Sequence, residues 1–153
     1  MSTVSERDTS TTRLGDAALL VFDGDCGFCA RSVRAIQRWV RPVSVSFQPW
    51  QSLDLAALEL TEDQVNAAVQ WCVPAADGPD AGRLLARASG AAAIGHVLRR
   101  GRGPWPVVGV LLALPPVSWL AAVVYRLIAR NRHRMPGGTA ACALPSHDRA
   151  EPN

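Results

Sequence analysis

In the segment Leu19-Leu-Val-Phe-Asp-Gly-Asp-Cys-Gly-Phe-Cys-Ala-Arg-Ser-Val33, a four-residue apolar run passes through Asp-Gly-Asp into two cysteines three positions apart. The run has the length of a short buried strand. After Cys26 the apolar residues Cys29, Val33, Ile36 and Val40 recur at helical spacing, and Arg31, Arg34, Arg38 and Arg41 recur on another face. A strand is therefore expected to run straight into an amphipathic helix that carries Cys-x-x-Cys at its start, the usual setting of a redox-active cysteine pair. Pro42 ends the helix, because the residue before a proline is pushed out of helical geometry.

The spacing assigns roles within the pair. Cys26 falls at the first helical turn, where unpaired backbone N–H groups stabilise a thiolate and lower its pKa below the ordinary ~8.5. Cys29, one turn on and facing the apolar side, is expected to be shielded and to act as the resolving thiol. Gly27 keeps the turn open, and Phe28 offers an apolar edge to a substrate. Asp25 can cap the helix, and Asp23, at the strand end, reads as a partly buried carboxyl that shuttles protons to the resolving cysteine. A carboxylate beside a thiolate also opposes its formation, so the two aspartates modify the pair in both directions.

Asp23-Gly-Asp25 after an apolar strand also resembles the opening of a haloacid-dehalogenase phosphatase, with nucleophile and acid two apart. The rest of the chain argues against that. Cys-Gly follows where Thr or Val is usual, all 16 basic residues are arginine so no lysine can hold a phosphate, and residues 81–147 contain no acid to bind magnesium. Zinc needs two further ligands; Cys72, Cys142, His133 and His147 include no second close pair, and the expectation is no metal. Cys72, between Trp71 and Val73, reads as buried filler, and His96 as a surface or interface residue. Cys142 stands out as a possible extra thiol.

Beyond the opening segment, Val43–Phe47 reads as a second strand, Leu53–Leu60 as a helix, and Thr61-Glu-Asp-Gln64 as a capping box before a further turn. Ala67–Val73 and Arg83–Ala88 form a hairpin across the Asp77-Gly78-Pro79 turn signal, and Ser89–Arg100 is a helix closed by Gly101. The order β-α-β-α-β-β-α gives a small α/β sheet with helices packed on it. Residues 103–125 carry no charge, but Pro115-Pro116 divides them into two pieces too short to cross a bilayer. Two C-terminal helices packed on the fold are expected, with a membrane-associated hairpin as the alternative. The expected organisation is a disordered leader over 1–16, the α/β domain over 17–101, a helical extension over 102–135 and a tail over 136–153.

The chain has 153 residues, enough for one ordinary domain with a proper core. Charge is split: residues 1–80 hold 11 acids and 6 arginines (net −5), residues 81–153 hold 2 acids and 10 arginines (net +8). The start lacks the basic, apolar and small-residue pattern of a signal peptide, so a cytoplasmic location is expected, peripheral at the membrane at most.

Asp23-Gly-Asp-Cys-Gly-Phe-Cys29 resembles the DCC family of bacterial thiol–disulfide oxidoreductases, named for an aspartate and two cysteines. The likeness continues through Phe47-Gln-Pro-Trp-Gln-Ser52, Asp77-Gly78, Ser89-Gly-Ala-Ala, Tyr125-Arg-Leu-Ile-Ala-Arg-Asn-Arg132 and Cys142-Ala-Leu-Pro145, roughly residues 17–145. It implies a thioredoxin-like fold, a small central mixed sheet with flanking helices, plus the two extra helices. It also implies a protein-disulfide reductase in which Cys26 attacks and Cys29 resolves. Its partners would be a disulfide-containing substrate (protein or small thiol) and an external electron donor, with no built-in cofactor and no nucleic acid. One departure is the missing cis-proline of thioredoxins, since no proline lies between Trp50 and Val73; this implies a narrower substrate. The competing reading is a membrane-associated accessory module that senses redox state or binds metal without turnover.

Overall fold

Alternation along the first strand builds two cores. In the computed structural model, which describes residues 17–139, β1 (Ala18–Phe22) sends Leu19 and Val21 to one face of a sheet and Ala18 and Leu20 to the other. All four are buried, as expected of a central strand with both faces covered. The chain continues through α1 (Gly27–Trp39), β2 (Val45–Pro49), α2 (Glu62–Ala67), β3 (Gln70–Pro74), β4 (Leu84–Ser89), α3 (Gly90–Arg99), α4 (Trp105–Leu111) and α5 (Val117–Asn131). The strands lie in the order β2-β1-β3-β4; β1 and β2 are parallel, and the other pairs antiparallel. This is a mixed four-stranded α/β sheet of the thioredoxin-like kind.

On one face, Leu19, Val21 and Cys72 meet Leu58, Leu60 and Val65 from the segment between β2 and β3. On the other, Ala18, Leu20 and Trp71 meet Ala93 and Val97 of α3 and Ile36 of α1. His96 of α3 stacks on Trp71 with ring centroids 5.7 Å apart, and the Arg100 guanidinium lies 5.3 Å from the same indole. His96 is thus packed on a core aromatic, which sets it apart from an ordinary surface residue.

Two elements differ from the sequence expectation. The helix expected over Leu53–Leu60 is a single short 3-10 turn, Ala56–Leu58, preceded by another at Trp50–Ser52. Asp54 takes the backbone N–H groups of Ala56 and Ala57 on its own side chain, and Glu59 adopts a left-handed conformation, so a continuous helix cannot form. β3 starts at Gln70 rather than Ala67, because the helix opened by the Thr61 and Gln64 capping box runs on to Ala67.

α4 and α5 lie on α3. The contact with α4 is close: a Cβ on Gly109 would stand 2.8 Å from the Gly95 carbonyl oxygen and 2.7 Å from the Arg99 nitrogen. On the far side of the pair, large apolar side chains from Val107 to Leu127 remain exposed. No helix among the described residues is long and apolar enough to cross a membrane. The leader over 1–16 and Cys142 lie outside the described residues.

Candidate active site

The site forms where β1 ends and α1 begins. Cys26 is the N-cap of α1, with extended backbone angles and full burial. Helix termini leave N–H groups without intrahelical partners, and here the sequence expectation for Asp25 is corrected. Asp25 is exposed and does not cap; the cap residue is Cys26, which makes no side-chain cap hydrogen bond. The backbone N–H of Gly27 donates instead to Thr139 Oγ1 at 3.3 Å, and that hydroxyl donates to the Asp25 carbonyl at 3.1 Å.

Residues Gly137–Thr139 therefore lie across the first turn of α1, where the sequence reading placed the start of a tail. Gly27 is what admits them. A Cβ there would meet the Gly137 carbonyl oxygen at 2.5 Å and the Thr139 methyl at 2.9 Å. This strap also reverses the expected exposures, since Cys26 is fully buried while Cys29 is part-exposed. Cys26 is disulfide-bonded, and Cys72 carries a thiol.

Asp23 is 1% exposed, more deeply buried than the sequence suggested. Its Oδ1 accepts from the Asp25 backbone N–H and from Gln51 Nε2, both at 3.1 Å. Gln51 closes the loop by accepting from the Gly24 N–H at 3.1 Å. Asp23 Oδ2 stands 4.0 Å from Arg132 Nη2. The same nitrogen donates to the Asn66 carbonyl at 2.7 Å, and Arg132 Nη1 donates to Cys29 Sγ at 3.5 Å. One guanidinium thus joins the carboxylate at the strand end to the sulfur on the helix. A cation beside sulfur favours the thiolate, the reactive form.

Tyr125 completes the surroundings. Its hydroxyl accepts from the Val69 backbone N–H at 3.1 Å, at the position just before β3 where the sequence lacks a proline. Burial pushes the Tyr125 phenol up, the Val69 hydrogen bond opposes that, and Cys29 adds a smaller upward push. Phe28 is half-buried, and its carbonyl accepts from the Ser32 hydroxyl. Cys72 is core filler, and burial raises its thiol to about 11.

Cys26, Cys29, Asp23, Asp25 and Gly27 are brought together at one strand–helix junction, as their proximity in sequence requires. Arg132, Gln51 and Thr139 were missed. Gln51 and Arg132 fall within stretches that carry the family likeness, but nothing in sequence ties Arg132 to residues about a hundred positions earlier.

A mixed α/β sheet that presents Cys-x-x-Cys at the start of the helix after its central strand defines a thiol–disulfide exchange protein by fold and site. The chain belongs to the DCC1-like thiol–disulfide oxidoreductase family, whose model matches residues 20–138. No curated protein and no solved structure matches it. Membership implies a disulfide-containing substrate in general terms.

Proposed function

We propose that the protein is a disulfide reductase in which Cys26 exchanges with substrate and Cys29 resolves. The observation that carries this reading is the placement of the pair: Cys26 is the N-cap of α1, and Cys29, one turn further along, has its sulfur 3.5 Å from Arg132 Nη1. A sulfur at the helix start with a second one turn on and beside a cation is what attack followed by resolution needs.

In the forward direction the Cys26 thiolate attacks one sulfur of a substrate disulfide. The substrate S–S bond breaks, a Cys26–substrate disulfide forms, and the other substrate sulfur leaves and takes a proton. The Cys29 thiolate then attacks Cys26 Sγ, expels the second substrate sulfur as a thiol and leaves a Cys26–Cys29 disulfide. Substrate gains two electrons, and an external dithiol returns them to the protein. Asp23 fixes Arg132 beside Cys29 and is the carboxyl through which the proton of Cys29 is passed. Asp25 and Gly27 shape the turn, and Phe28 offers the apolar edge.

Cys142 fits an extra thiol in the same cycle. Cys142, which lies outside the described residues, is the candidate we assign to pair with Cys26 in that role. A Cys26–Cys142 bond would occupy the substrate position until Cys29 attacks Cys26, re-forms the Cys26–Cys29 bond and releases Cys142 as a thiol.

The test is a trap. Cys29→Ser combined with Cys142→Ser is expected to accumulate mixed disulfides on Cys26, more than either single variant, and none once Cys26→Ser is added. Mapping of the unreduced wild-type chain should recover a Cys26–Cys142 peptide. Trapping or disulfide reduction that persists without Cys26 would overturn the reductase reading.

A further inference from the structure

We propose that the exposed face of the α4–α5 hairpin docks in the plane of an anionic lipid surface. On α4 the exposed residues Val107, Val110 and Leu111 recur at helical spacing, and exposed Leu114 follows in the turn beyond it. On α5 Trp119, Leu120, Val123, Val124 and Leu127 do the same, with Trp119 76% and Leu120 66% exposed. The opposite side of α5 is the one that packs inward, through Tyr125, which bonds Val69 and touches Gly90. Both helices therefore present an apolar stripe to the outside, an extent of exposed apolar surface that marks an interaction site.

Three features identify the occupant as a lipid surface. First, the exposed charged residues on and flanking the two helices are all arginine: Arg99 and Arg102 ahead of α4, Arg126 and Arg130 on α5, and Arg134 beyond it. Residues 81–147 contain no acid, so the charge is uncompensated along this half of the chain and matches anionic headgroups. Second, the same charge pattern disfavours a second copy. A two-fold pair sets the same patch against itself, which would bring arginine against arginine. Third, an apolar groove of about 320 Å³ opens on this side, lined by Ile94, Leu112, Val117, Leu120, Val124 and Ile128, and can take the end of an acyl chain.

The helices span 7 and 15 residues, too short to cross a bilayer, so the hairpin lies along the surface. Trp119, and Trp39 (68% exposed) beside the start of α4, where the Trp105 indole donates to its carbonyl, suit the headgroup boundary. The proposal stands independently of the exchange chemistry, although α5 runs directly into Arg132 and would bring the cysteine pair close to the lipid plane.

The experiment is co-sedimentation of the full chain with vesicles of phosphatidylcholine alone and of phosphatidylcholine with phosphatidylglycerol, over a salt series. Binding to the mixed vesicles is expected, weakening with salt and weaker still on neutral vesicles. Leu120→Glu with Val123→Glu should abolish it, while the circular dichroism spectrum and Cys29 alkylation stay as in the parent. Arg126→Gln and Arg130→Gln should each weaken binding about fivefold at low salt. A chain that remains in the supernatant with the mixed vesicles overturns the proposal. So does a dimer in sedimentation velocity that Leu120→Glu dissociates, because the face is then covered by a second copy.

Discussion

Arg132 Nη1 lies 3.5 Å from Cys29 Sγ, although 103 positions of sequence separate the two residues. The Arg132 side chain is 11% exposed, and its guanidinium is also held by the Asn66 carbonyl and the Asp23 carboxylate, so its charge is fixed beside the sulfur. Removing it takes away a partly buried cation that favours the thiolate. Arg132→Gln is expected to slow alkylation of Cys29 by about tenfold. Arg132→Lys should restore part of the rate, since it keeps the charge and loses the fork. Equal rates in all three proteins would show that the contact does not act on the sulfur.

Gly27 offers a steric test of the strap. Gly27→Ala places a methyl group where the Gly137 carbonyl oxygen now sits, and that oxygen is backbone, so the strap must move. The Gly27 amide should then exchange with deuterium much faster, having lost the Thr139 hydroxyl as acceptor. In the reduced protein, Cys26 should alkylate faster as well. Unchanged exchange at Gly27 would mean that the strap does not cover this turn in solution.

Cys72 sets an alkaline limit on stability. Burial holds its thiol at about 11 against an ordinary 9.0, so the folded state keeps the proton over a range in which the unfolded chain releases it. The contribution is complete below pH ~9 and is lost as pH rises toward 11, amounting to about 1 kcal/mol by pH 10. Denaturant titrations at pH 8 and pH 10 should show this loss in the parent and not in Cys72→Ala. At neutral pH, Cys72 should resist iodoacetamide while Cys29 reacts.

His96 gives the opposite slope on the acid side. Burial against Trp71, followed by Arg99 and then Arg100, lowers its pKa. The unfolded chain therefore takes up the proton first, and stability falls as pH drops below ~6.5 toward the lowered folded value. The unfolding midpoint should decline over that window in the parent and decline less in His96→Gln.

Leu20 tests the central strand. It is fully buried between Trp71 and the α3 residues Ala93 and Val97. Leu20→Ala should cost about 2–5 kcal/mol in chemical denaturation, from lost burial and the cavity left behind. A cost below ~1 kcal/mol would mean that this face of the sheet repacks freely.

Local pattern settled much of this protein. The apolar run Leu19–Phe22, the period of Val33, Ile36 and Val40, and the Thr61 capping box each depend on residues a few positions apart, so β1, α1 and the start of α2 were legible in the sequence. The Cys-x-x-Cys pair was legible for the same reason, as were the hairpin of β3 and β4 and helix α3. The short-range choice between Asp54 capping and helix was misread, because a side chain competing for backbone N–H groups looks like any helix residue in a periodicity count. What tertiary structure alone decided was the environment of the cysteines. Arg132 reaches Cys29, Gln51 holds Asp23, and Thr139 replaces Asp25 at the helix end, each across 28 to 114 positions of chain. Sequence places the sulfur atoms one helical turn apart; only packing of distant segments determines which one is covered and which one faces a cation.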